Sequence, residues 1–295
     1  MQIQEILKKT YPKINSSLDA EILLAKILKK SREFILSHGE KKITSKKIAD
    51  YKKLINKRIK NIPLAYLLGE KEFYGLNFLV NKNVLIPRPE TEILVEQALE
   101  IVLNNTNKNN YIIDIGTGSG CIIITFIKEL QKKISYQKLQ KYSFFASDIS
   151  KKALQVARQN TRQHKLQKKI NFLQGSLLEP FLEKQNTKKN KLTKSQNILI
   201  LANLPYLTPQ QVKDSPTIQA EPELALVAGK DGLKYYQQLF KEIKKLKKLN
   251  FSYQMICEID PAQVSFLKKI VKQELGKNIK IIKDLRKKNR FVYVG

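Results

Sequence analysis

The sequence predicts an α/β protein: a mostly parallel sheet with helices on both faces, preceded by a small helical domain. Three observations predict it. From Tyr111 onward, short apolar runs rich in branched residues alternate with segments of helical period, the pattern of a sheet built from βα units. The run Asn197-Ile198-Leu199-Ile200-Leu201-Ala202 is apolar almost throughout, as a strand covered on both faces requires. Residues 1–70 carry helical periodicity alone.

The elements follow in order. Ser16 stands three residues before Asp19 in a capping pattern that opens the helix carrying Ala20 to Leu28. Ile48, Tyr51, Leu54, Ile55 and Ile59 repeat the helical spacing behind Thr44 or Ser45, until Pro63 interrupts it. Residues 1–70 are therefore expected to form a helical domain that carries no visible chemistry and helps present a substrate. Phe73 to Ile86 is rich in aromatic and branched residues, with turn residues at Gly75 and at 81–83, so 71–87 reads as a β-hairpin linker. The α/β domain is assigned to 88–295, its first helix opening near Thr91 and running to about Asn104. Strands are predicted at 111–115, 143–148, 169–174, 197–202, 252–259, 278–284 and 290–294. Helices are predicted at 119–131, 150–165, 231–248 and 261–275. The Lys-, Gln- and Asn-rich stretches 130–142 and 183–196 read as surface insertions.

Composition narrows the class without choosing a function. A chain of 295 residues with 42% hydrophobic and 27% charged residues suits a soluble globular protein with a full core. The start of the chain lacks the apolar core of a signal peptide and no apolar run is long enough to span a bilayer, so a cytoplasmic protein without membrane contact is expected. Cys121 and Cys257 form no CxxC pair, and with only His38 and His164 beside them no metal site is expected. The formal charge of +29 has two readings: attraction to a polyanion or acidic surface, or the lysine-rich composition of an A/T-rich coding sequence.

Chemistry concentrates at three strand ends. The first sheet strand runs into Asp114-Ile115-Gly116-Thr117-Gly118-Ser119-Gly120, and a helix follows at once. Such a loop turns sharply, lets a ligand approach the backbone, and presents helix-start amides to it. Its GxGxG spacing departs from the dinucleotide fingerprint GxGxxG. The second strand ends at Asp148, placed to accept hydrogen bonds from both ribose hydroxyls of an adenosine ligand, with Ser150 available to cap the next helix. The fourth strand ends in Asn203-Leu204-Pro205-Tyr206, on the carboxyl side of the sheet where ligands bind. A planar NH2 group could give one hydrogen to the Asn203 side-chain oxygen and the other to the residue 204 carbonyl, with Tyr206 packed on its flat face.

This tetrapeptide resembles the Asn-Pro-Pro-Tyr signature of the amino-methyltransferases, with Leu204 in place of the first proline; Pro205 still holds residue 204 extended. A narrower resemblance runs along nearly the whole chain. Leu85-Ile86-Pro87-Arg88-Pro89-Glu90-Thr91-Glu92, Gly69 to Gly75, Asp19 to Leu24, Glu221-Pro222, Gly229 to Leu233, Lys283-Asp284-Leu285 and Arg290-Phe291-Val292 resemble, in order, the segments of the release factor glutamine N5-methyltransferases. The resemblance implies a class I methyltransferase (Rossmann-like) fold with a seven-stranded sheet whose last strand is antiparallel. It implies S-adenosyl-L-methionine as cofactor, and methylation of the glutamine in the Gly-Gly-Gln loop of class-1 peptide chain release factors. It also implies Gly116, Thr117, Gly118, Ser119 and Gly120 around the methionine part of the cofactor, Asp148 on its ribose, and Asn203 near both ligands. Relatives place an acid and often an aromatic after the third strand; this chain has Ser176 and Leu177, so adenine recognition is expected either to be looser or to depend on apolar contact, with Leu177 as the cofactor-binding candidate. Arg88, Glu90 and Glu92 are candidate substrate contacts.

An amide nitrogen is a poor nucleophile, and no histidine or cysteine is expected near the motifs to deprotonate it. Positioning and electrostatics are expected to carry the reaction through Asn203, Leu204, Pro205 and Tyr206. Two alternatives stay open: an amino-methyltransferase acting on adenine N6 or guanine N2 of a nucleic acid, and a non-catalytic RNA- or ribosome-binding protein on this fold. The charge also suggests a secondary contact with RNA or the ribosome.

Overall fold

The computed structural model describes residues 1–14, 16–104, 110–182, 197–248 and 251–295. Five helices come first: α1 (Ile3–Thr10), α2 (Ser17–Leu28), α3 (Arg32–Ser37), α4 (Ser45–Ile59) and α5 (Leu64–Leu68). The Ser16 hydroxyl caps α2 by accepting from the Asp19 amide at 3.1 Å. α4 ends at Ile59, ahead of Pro63, and Pro63 serves as the N-cap of α5. Tyr51 is fully buried between these helices and its hydroxyl donates to the Ala20 carbonyl at 3.2 Å.

A hairpin of β1 (Glu70–Phe73) and β2 (Leu76–Leu79) follows, turning through Tyr74 and Gly75. The hairpin is thus shorter than the 71–87 expected and begins one residue earlier. Residues 80–88 form no strand, because Asn81, Asn83 and Pro87 interrupt the ladder; Val80 and Val84 pack instead on Ala153 and Val156.

The remaining elements build the sheet: α6 (Glu92–Asn104), β3 (Asn110–Ile115), α7 (Cys121–Lys133), α8 (Tyr136–Leu139), β4 (Tyr142–Asp148), α9 (Lys151–Gln163), β5 (Ile170–Gln174), α10 (Glu179–Leu182), β6 (Asn197–Ala202), α11 (Pro209–Lys213), α12 (Lys234–Lys248), β7 (Ser252–Glu258), α13 (Val264–Leu275), β8 (Lys280–Lys283) and β9 (Asn289–Val294). The stretch 130–142 is largely helical, while 183–196 lies outside the described residues. The seven strands run in the order β5-β4-β3-β6-β7-β9-β8, parallel except for β9, which is antiparallel to both neighbours. This is the class I methyltransferase sheet with its antiparallel last strand. Strand alternation explains why β6 is apolar on both sides: Ile198, Ile200 and Ala202 join the core under α12 and α13, whereas Leu199 and Leu201 join the core under α6 and α7. Among the described residues, no helix is long and apolar enough to cross a membrane.

One side chain ties the hairpin to the sheet domain. Asn160 on α9 is fully buried; its Nδ2 donates to the carbonyls of Leu79 (3.0 Å) and Ser119 (2.8 Å), and its Oδ1 accepts from the Leu79 amide at 2.7 Å. Asn160→Ala strands three backbone groups, each costing about 1–3 kcal/mol when left unpaired. Urea unfolding should show a loss of about 3 kcal/mol; a loss below about 1 kcal/mol would mean that water or another residue replaces the amide.

Candidate active site

The strand order reverses between β3 and β6, and in open α/β sheets the crevice beyond such a point receives the ligand. Two loops form its walls. After β3 the chain turns through Gly116 (φ +69°), Gly118 (φ +55°) and Gly120 (φ +80°). At Gly116 space matters as much as φ: a Cβ would lie 3.1 Å from Leu204 Cδ2, so glycine lets this loop close on the tetrapeptide. The amides of Gly116 and Thr117 both donate to the Ser147 carbonyl, at 2.9 and 3.0 Å.

Asp148 completes that wall. Its Oδ2 accepts from the Gly118 amide at 2.9 Å and its Oδ1 from the Ser150 amide at 2.8 Å. Ser150 caps α9 as expected, its hydroxyl accepting from Ala153 at 3.1 Å, yet the Asp148 carboxylate is engaged as well rather than free. Each oxygen of a carboxylate can accept a further bond, so capacity for a ligand remains. Burial raises the Asp148 pKa against the lowering effect of the two amides. The cavity bounded here spans about 1020 Å³ out to its open mouth. All of Gly116, Thr117, Gly118, Ser119, Asp148 and Leu177 line it. Gly120 does not; its residue caps α7 behind the wall.

Asn203, Leu204 and Pro205 line this cavity and also a smaller adjoining one of about 540 Å³. Tyr206 faces only the smaller cavity, which Leu85, Ile218 and Leu226 make largely apolar. The Asn203 amide is held from behind. Its Nδ2 donates to Thr91 Oγ1 at 3.1 Å, and Thr91 Oγ1 donates to Glu258 Oε2 at 2.6 Å. The other Glu258 oxygen accepts from the Tyr206 hydroxyl at 3.2 Å. Because the amide nitrogen is committed to Thr91, the Asn203 oxygen is the atom left for a ligand. Among the described residues no donor meets it, nor the Leu204 carbonyl. The Tyr206 carbonyl, by contrast, accepts from Gln263 Nε2 at 3.0 Å, and Gly232 passes so close that a Cβ there would lie 2.2 Å from it.

Glu258 is fully buried, and burial raises its pKa despite the hydrogen bond from Thr91, the positive charge of Arg290 and the bond from Tyr206. Burial and the Glu258 charge likewise raise the Tyr206 pKa, so its hydroxyl keeps its proton. Arg88 lines both cavities and forms an ion pair with Glu221 Oε1, whose other oxygen accepts from the Ile86 amide at 3.0 Å. Glu90 lines neither cavity. Glu92 accepts from the Tyr74 amide at 2.8 Å, fastening the hairpin turn.

Known proteins resemble this chain along most of its length. Residues 2–69 match the PrmC N-terminal domain and residues 106–290 match a methyltransferase domain. A release factor glutamine methyltransferase of Borreliella burgdorferi is 33% identical over 100% of this chain and 94% of its own length. One from Dictyoglomus turgidum is 37% identical over 83% of this chain and 78% of its own. The chain belongs to the release factor glutamine methyltransferase family. Among solved structures, the human Mettl16 catalytic domain in complex with the MAT2A 3′UTR hairpin 6 superposes with a TM-score of 0.53, covering 75% of each chain at 16% identity, a likeness of fold.

Release factor glutamine methyltransferases use S-adenosyl-L-methionine, and the residues present fit that group. Asp114, at the end of β3, is fully buried: its Oδ2 accepts from Thr117 at 2.6 Å, while Oδ1 lacks a hydrogen bond of normal geometry. Burial pushes its pKa up to about 7, with the Asp148 charge adding to that rise and Thr117 and the Ile123 amide opposing it. The Asp148 carboxylate beside a glycine loop suits a polar ligand, and Ile149, Leu177 and Tyr235 give the same cavity apolar and aromatic surface. Thr91 and Asp114 stand inside sequence motifs that assign them no role, and Tyr235 and Glu258 stand outside every motif. Tyr235 comes from a helix remote in sequence; Glu258 could have been noticed as an acid closing an apolar strand. Cys121 also lines the cavity, contrary to the expectation of no cysteine near the motifs, but burial pushes its thiol up to about 12, so it is no base.

The folded chain holds the Asp114 proton between the ordinary value of 3.8 and about 7, whereas the unfolded chain releases it. Stability from this group is thus greatest below that window and declines as pH rises through it. Asp114→Asn, neutral throughout, escapes the decline. Without cofactor, its unfolding free energy relative to wild type should grow by about 3 kcal/mol between about pH 5 and about pH 8; a difference constant with pH would refute the buried, protonated acid.

Proposed function

We propose that this protein transfers a methyl group from S-adenosyl-L-methionine to the side-chain amide N5 of the glutamine in the Gly-Gly-Gln loop of class-1 peptide chain release factors. The observation that carries the reading is the pair of open acceptors, Asn203 Oδ1 and the Leu204 carbonyl, on residues shared by the two cavities. A primary amide entering from the smaller cavity gives one hydrogen to each acceptor. Its nitrogen then lies between two fixed oxygens with its plane set. Full-length likeness to release factor glutamine methyltransferases supports the choice of substrate.

Bound S-adenosyl-L-methionine supplies an electrophilic methyl carbon. The chain's own residues do the rest by position. Gly116, Thr117, Gly118 and Ser119 hold the methionine end, Asp148 accepts from the ribose, and Leu177, Ile149 and Tyr235 cover the base. Leu204, Pro205 and Leu226 keep water from the amide. The two oxygens favour positive charge as it develops on the nitrogen, about 3 kcal/mol for a well-placed partner. Alignment of the two reactants contributes up to about 7–11 kcal/mol. Arg88, fixed by Glu221, marks the rim of the smaller cavity as a contact for the substrate loop. Residues 1–70 present the substrate, 71–87 link, and 88–295 carry the chemistry. The protein works in the cytoplasm, and its charge of +29 supports a secondary contact with RNA or the ribosome.

Asn203→Ala removes one acceptor and leaves Leu204 in place. Methylation of a release factor, followed by mass spectrometry of the Gly-Gly-Gln peptide, should slow at least ~100-fold in kcat while calorimetric affinity for S-adenosyl-L-methionine changes little. Turnover within about threefold of wild type would reject the assignment, as would methyl transfer to RNA in place of the release factor.

A further inference from the structure

The positive charge is not spread evenly. Residues 130–178 contain eleven lysines and arginines and a single carboxylate, Asp148, which lies in the active-site crevice rather than on the surface. Of the eleven, Lys132 alone has a carboxylate partner among the described residues, Glu129 at 2.5 Å. Six of the others, Lys138, Lys141, Arg162, Lys165, Lys168 and Lys169, belong to α8, the end of α9 and the turns that follow them. α8 packs beside the loop that follows α9, where Lys169 sits over the Tyr136 ring at 5.4 Å from its centroid. Tyr136 is 71% exposed. Lys138, Lys141, Arg162, Lys165 and Lys168 are exposed around it.

The chemistry of this face selects its partner. The core of a protein–protein interface is depleted of charged residues. Here the exposed side chains are cations and amides, with Tyr136 as the one large exposed ring between Leu130 and Leu178. Many unpaired cations with an accessible aromatic are the features that track a phosphate backbone and stack on an unpaired base. A cation lying on the back of a ring does not consume its outer face.

We propose that the face formed by α8, the end of α9 and the loop to β5 binds RNA, its cations on the phosphates and Tyr136 stacked on a base. This gives the RNA contact in the proposed function a location. It is separate from the methyl-transfer site: α9 starts at the cavity wall with Ser150 and ends about 18 Å further along its axis at Arg162. RNA held there leaves the acceptor cavity open to a release factor.

The test uses the full chain, a labelled RNA hairpin with a single-stranded loop, and filter binding at several salt concentrations. One variant carries Lys138→Gln, Lys141→Gln, Arg162→Gln, Lys165→Gln and Lys168→Gln. A charge-matched control carries Lys46→Gln, Lys47→Gln, Lys52→Gln, Lys57→Gln and Lys60→Gln on the exposed side of α4. The first should weaken binding at least ~10-fold and flatten the dependence of log K on log salt by at least about 2. The control should weaken it less than ~3-fold. Tyr136→Ala should cost about fivefold or more. Release factor methylation should stay at the wild-type rate in all three. Equal losses in the two quintuple variants would overturn the proposal in favour of bulk charge. Unaltered RNA binding with slowed methylation would overturn it in favour of an acidic docking surface on the release factor. An inactive wild type that still shows the RNA effect would count against the methylation reading alone.

Discussion

The site depends on where the two oxygens of Glu258 are spent. One receives the Thr91 hydroxyl and the other the Tyr206 hydroxyl, so one buried carboxylate fixes both polar members of the tetrapeptide, Asn203 through Thr91 and Tyr206 directly. An asparagine amide left to itself could present either end to a ligand. Here the nitrogen is taken, and only the oxygen is left to accept. Holding an acid in the core is costly unless its oxygens are satisfied, so the network favours being complete. The three residues that meet at Asn203 come from the start of α6, the end of β6 and the end of β7. The acceptor geometry therefore exists only once the sheet and α6 have docked.

The same logic of distant residues closing on one point recurs around the smaller cavity. Glu221 binds the Ile86 amide and the Arg88 guanidinium across more than 130 residues of chain, holding the loop after the hairpin against the loop after β6. Asn160 performs the equivalent task between β2, α9 and the glycine loop. The helical domain thus reaches the active site through polar clamps on its linker. The open acceptors of the cavity are polar groups whose partner is to come from the ligand.

Much of this was legible in the sequence because it is local or periodic. The apolar run of β6, the glycine turn after β3 and the acid closing β4 each declare a strand end, and the sheet places those ends together by its topology. What was not legible depends on contacts between strangers. Thr91 reads as a helix start, and nothing in its neighbourhood shows that it bridges Asn203 to Glu258. Glu90 and Glu92 look equivalent beside it; one faces neither cavity and the other ties the hairpin turn. Tyr206 belongs to the motif, but its hydroxyl commits it to the smaller cavity. Val80 and Val84 have the branched side chains of strand residues, so the hairpin reads as extending to 87, whereas both are buried against α9.

The decisive measurement is the rate of methyl transfer at saturating substrates in Thr91→Val and Thr91→Ser, set beside calorimetric affinity for S-adenosyl-L-methionine. Valine keeps the shape and removes the bridge, so kcat should fall about 10–100-fold, the value of a hydrogen bond to a charged group, with cofactor affinity held. Serine keeps the hydroxyl and should return kcat to within about threefold of wild type. A valine variant as fast as wild type, or a serine variant as slow as valine, would contradict the claim that Glu258 acts through Thr91 to aim the Asn203 oxygen.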